Sequence, residues 1–200
     1  MKNSTLKRVV HGDPTDPTST REITGLSLPE IRAIDYSLDW AIFESNALLN
    51  LSDQQLAIVA SQKRIACKKF GIPEFEPVDD FDRLRADLII HREVLTKLRD
   101  RLFPCFFAGK TNITRITPKE FEHLIIALQH ACGEAMIYSQ ISAQKARLAL
   151  AEIQKVAQKL NLKPFTRLDE HREDLPTFFA RRLVLLERML QVINQPYPTT

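Results

Sequence analysis

From Pro118 to Leu160 an apolar or small residue recurs at every third or fourth position without a break. The series is Phe121, Ile125, Leu128, Cys132, Ala135, Ser139, Ser142, Ala146, Ala149, Ile153, Val156 and Leu160. Steps alternating between four and three mark one stripe of an α-helix. Thr117 and Glu120 form a capping box, and Pro118 sits at the first helical position, where its missing N–H costs nothing. No proline follows until Pro164. At about 1.5 Å per residue, a helix over roughly 118–160 spans ~65 Å. That one feature constrains the rest of the chain to pack as helices.

The flanking segments agree. Ser27 and Glu30 make a second capping box, with Pro29 in the first turn and the helical series Ile31, Ile34, Leu38, Ile42, Ser45, Leu49 behind it. Ser52 and Gln55 make a third, opening a helix that runs to Phe70 and stops at Gly71 and Pro73. Phe81, Leu84, Leu88, His91, Leu95, Leu98 and Leu102 define another helix, with Asp79 or Asp80 as its cap and Pro104 as its end. Residues 103–116 read as an irregular, partly apolar connection with room for one helical turn. A last helix, near Pro176–Asn194, carries Phe179, Leu183, Leu186, Leu190 and Ile193. The segment EFEPVDD reads as a linker, and RLDEHRED as a charged loop or a short helix. Only 5 of 200 residues are Gly, against a usual share of about 7%, which argues against a turn-rich β architecture. The expected fold is all-α: a bundle of five or six helices around the long one, forming a single domain over 27–200. Residues 1–26 have no helical period and are expected to form an extended or irregular N-terminal arm, with a short strand or clip at Leu6–Val10 as an option.

The centre of the long stripe is small. Ser139, Ser142, Ala146 and Ala149 allow another helix to approach closely, because interaxial distance follows the side chains at the contact. The simplest reading is a core helix. The alternative is a binding seam for a second copy or for a partner's helix. A net charge of +3 is too small to mark a dedicated nucleic-acid binder. Lys63, Arg64, Lys68 and Lys69, with Arg181, Arg182 and Arg188, remain a candidate basic patch, and nucleic acid stays open as a partner. The helix-turn-helix that all-helical repressors carry near the N-terminus has no counterpart in residues 1–26.

The chemistry-bearing candidates are few. Glu120-x-x-His123 is half of a di-iron carboxylate motif, and no second Glu-x-x-His exists in the chain. His123 and His130 are expected on a solvated face opposite the stripe, with Glu134 one turn beyond, so no metal site is expected. Gly109-Lys110-Thr111 lacks the first glycine and the preceding strand of a phosphate loop. No Ser-His-Asp order or cofactor loop is present, so no cofactor is expected. Arg85 and His91 resemble the Arg-x4–6-His pair of the helical HEPN ribonucleases. That resemblance implies that the two residues act on an RNA phosphodiester. His91 also occupies a seam position, where a hydrogen-bonded core histidine is the ordinary occupant.

Cys67, Cys105 and Cys132 are odd in number and widely spaced, unlike a disulfide framework. The first residues lack a signal-peptide apolar core, and no apolar run reaches the ~18 residues of a membrane span. The expectation is a cytoplasmic protein, without a membrane span and not enzymatic, that acts by binding another macromolecule, most directly a protein.

Overall fold

The three capping boxes do start helices. In the computed structural model, residues 8–10, 19–71, 80–161 and 174–193 are described. The linker, charged-loop and tail readings fall mostly or wholly outside them. The elements in order are β1 (Arg8–Val10), β2 (Arg21–Thr24), α1 (Leu28–Leu49), α2 (Asp53–Phe70), α3 (Phe81–Phe107), β3 (Ile113–Ile116), α4 (Pro118–Gln140), α5 (Ala143–Lys159) and α6 (Leu175–Ile193). Among the described residues, six helices against three short strands make an all-α bundle, as the periodicity requires.

Each cap is made by the residues the spacing picks out. The Glu30 carboxylate accepts from the Ser27 backbone N–H and hydroxyl, both at 2.6 Å. The Ser52 N–H donates to Gln55 Oε1 at 2.9 Å, and the Gln55 N–H donates back to Ser52 Oγ. Thr117 and Glu120 exchange the same pair of bonds. Asp80 Oδ1 accepts from the Arg83 N–H at the start of α3. Gly71, in the left-handed region at φ 66°, closes α2. Such bonds satisfy backbone donors that a helix start otherwise leaves without partners.

The long helix is two helices. α4 stops at Gln140, and α5 restarts at Ala143 behind Ser142, whose backbone is extended (φ −64°, ψ 152°) and whose Oγ accepts from the Lys145 N–H. In the last turn of α4 the Ser139 hydroxyl donates to the Met136 carbonyl at 2.9 Å. Serine hydroxyls offer the backbone local alternatives to the helical bond, and two of them three residues apart mark the break. An unbroken apolar and small-residue period therefore did not mean an unbroken helix.

Two other boundaries differ from expectation. α3 continues through Pro104 to Phe107, and Gly109, at φ 70°, lies in the turn that follows. Ile113–Ile116 is a strand rather than irregular chain. It pairs antiparallel with β2, which pairs antiparallel with β1, so the sheet order is β1-β2-β3. The N-terminal arm thus supplies two of the three strands. Ile23 faces Ile113 in register, and Ile23, Ile113 and Ile116 are all buried.

Contacts gather into two units. The first comprises Met1–Ile42, Glu93–Cys132 and Val184–Thr200, the second Phe43–Arg92 and Gly133–Leu183. Helices α1, α3, α4 and α6 contribute to both. In the first unit, six consecutive α1 residues from Ala33 to Leu38 are buried. More than a full turn is covered on every side, which identifies α1 as a central helix there. Arg101 joins β3 to α4 in this unit. Its guanidinium donates to the carbonyls of Thr114 and Arg115 at 3.2 and 3.0 Å and to Glu120 at 2.8 Å. Arg115 itself has φ 56°, a left-handed conformation that is uncommon for a side-chain-bearing residue. Arg99 pairs with Asp39 in the same unit.

Candidate functional site

The residues singled out by sequence fall in different environments. Ser139 lies half-buried in the last turn of α4, and Ser142 is exposed between two helices. Ala146 is fully buried in α5 and Ala149 half-buried. The break at Ser142 divides the small-residue stripe between α4 and α5. The buried line of α4 runs through Phe121, Leu124, Leu128, Ala131, Ala135 and Tyr138, with Ile125, Cys132 and Ser139 at its margin. It lies to one side of the stripe read from sequence.

That displacement brings Glu134 inside. One turn beyond His130, it is only 9% exposed, and neither of its carboxylate oxygens has a hydrogen-bond partner among the described residues. His123 and His130 are half-buried. Burial pushes the Glu134 carboxyl up to about 8; Arg182 pulls it down and Glu44 pushes it further up. Arg182 is itself buried, on an α6 line through Leu175, Phe179, Leu186, Met189 and Ile193. It is therefore unavailable to an exposed basic track. Tyr138, one turn beyond Glu134, stacks on Phe179 at 4.8 Å between ring centroids. Among the described residues, no group of three or more His, Cys, Asp or Glu could hold a metal ion.

Arg85 and His91 both lie on α3. The Arg85 guanidinium pairs with Asp53 at 2.6 Å, lies 3.9 Å from Asp82, and donates to the Leu51 carbonyl at 3.1 Å. It ties the start of α3 to the turn that joins α1 to α2. His91 is 9% exposed and sits in the seam with Leu95, Leu98 and Leu102, where the spacing put it.

The basic residues of α2 are exposed, and α2 is the helix that gives least of itself to a core. Leu56 and Cys67 are its only buried residues. Lys63 is paired with Glu44, and the Lys69 ammonium lies 5.3 Å from the Phe70 ring centroid. Arg64 and Lys68 make no ion pair among the described residues. Directly opposite the buried line stand Ile58 and Ile65, 53% and 66% exposed. Seven residues apart, they lie two turns from each other on one face. Sequence reading missed them because α2 is apolar on both sides, and the period alone does not say which side is covered. α5 likewise exposes Leu148 and Val156.

Comparison of the chain with protein-family models, with curated proteins and with solved structures gives no match. Among the described residues, no helix is long and apolar enough to cross a membrane.

Proposed function

We propose that the chain works without chemistry of its own, as a protein-binding module whose contact surface is the outward face of α2. The observation that carries this reading is the pair Ile58 and Ile65, held in water on a regular helix beside Arg64 and Lys68. Exposed aliphatic side chains on a fixed helix gain from burial against a partner, and flanking cations favour a partner that is acidic around an apolar centre. A helix with those two properties is the simplest occupant, laid along α2 through positions spaced three and four apart. Nucleic acid fits less well. Phosphates prefer an uninterrupted run of cations, and here isoleucines occupy the centre of the face.

The test is affinity capture with the full chain and with Ile58→Ser/Ile65→Ser, followed by identification of retained protein and nucleic acid. We expect an acidic protein, held directly, to be lost from the double variant while its thermal unfolding stays that of the parent. Retention of the same protein by both would count against this surface. Retention of nucleic acid alone, released by added salt, would move the function to the phosphate-binding class.

A further inference from the structure

We infer that Glu134 is a proton-operated latch: neutral, it is compatible with the packed second unit, and ionised, it loosens the contact of α4 with α6 there. The inference stands on a cluster of groups. The carboxyl group is nine-tenths buried on α4, and both its oxygens are without a hydrogen-bond partner among the described residues. A neutral acid tolerates such a place far better than an ion, which needs both pairing and hydrogen bonds when taken out of water.

Groups on the surrounding elements do not supply that compensation. α1 brings Glu44, a like charge, which Lys63 of α2 already pairs. α6 brings the Arg182 guanidinium, which attracts Glu134 but forms no hydrogen bond to it. From α3 the same unit holds the buried His91, and Arg92, bonded to Asn46 of α1 at 3.2 Å. The residues that α5 buries are Ala146, Leu150 and Ala157, which carry no charge. Tyr138 of α4 stacks on Phe179 of α6, so the helix that carries the acid is joined to α6 one turn away.

Desolvation outweighs the pull of Arg182 and holds the carboxyl near 8, against an ordinary value of 4.5. The folded chain therefore keeps a proton that the unfolded chain has released. The resulting stability is full below the ordinary value, declines as pH rises, and is gone above about 8.

Two measurements on the full chain test this. The first follows the Glu134 carboxyl carbon by NMR through a pH titration, in the parent and in Glu44→Gln. We expect a midpoint far above the ordinary carboxyl range, moving down when the like charge of Glu44 is removed. The second compares urea unfolding of the parent and Glu134→Gln from about pH 6 to about pH 9, with the near-ultraviolet tyrosine signal, to which Tyr138 contributes, as a probe of packing. The parent's midpoint should fall and its tyrosine signal weaken across that range, while both stay nearly level in the variant. A carboxyl that titrates in the ordinary range would overturn the inference, as would parallel pH profiles for the two proteins. Should Glu134→Gln fail to fold, the titration of the parent still decides.

Discussion

The Arg101 guanidinium ties together three partners of the first unit. It holds two carbonyls at β3 and the capping carboxylate of α4 with one guanidinium. Charge-assisted bonds of this kind contribute roughly twice what neutral ones do. We predict that Arg101→Ala lowers unfolding stability by about 1–3 kcal/mol, read from urea midpoints, whereas Arg64→Ala on the open face of α2 changes it by less than about 0.5 kcal/mol. His91 is a second residue-scale case. Its seam position was legible from the leucines around it, and truncating a buried side chain leaves a cavity. His91→Ala should therefore cost about 1–3 kcal/mol, and RNA incubated with parent or variant should stay intact. RNA cleaved by the parent and spared by the variant would favour the reading on Arg85 and His91 instead. Glu134 and Arg182 were not legible in this way. Their charges argued for the surface, and only the positions of the buried lines on α4 and α6 place them inside.

Helix starts are local events, and at the scale of elements they were the most readable part of the chain. Ser27, Ser52 and Thr117 each have a partner three residues on that closes the cap, so sequence distance equals interaction distance. Strand β3 could not be found that way. Its four residues are held by pairing with β2, far off in sequence, and by Arg101, so no local pattern reports it. Ser142 is the instructive case. It fits the small-residue stripe and also fits an N-cap, and the structure uses the second property. The two assignments predict opposite outcomes for Ser142→Ala. As a cap, its loss should destabilise the protein by about 0.5–2 kcal/mol. Within a continuous helix, alanine would be the better helix former and the protein would gain stability. Thermal unfolding of that one variant distinguishes them.

Across the whole molecule the all-α class was legible because helical period and low glycine content are properties summed over many residues, insensitive to any one misplaced boundary. Which faces stay open is not such a property. α2 carries apolar residues on two sides, and nothing in its own sequence distinguishes Leu56, which is covered, from Ile58, which is not. The proposed function rests on that difference. Its most direct measurement is backbone hydrogen exchange of the full chain with and without the protein that it captures. Exchange between Ile58 and Lys68 should slow most strongly in the complex, with α1 and the three-stranded sheet unchanged. Slowing confined to other helices, with α2 exchanging as it does in the free chain, would contradict the claim that α2 is the binding face.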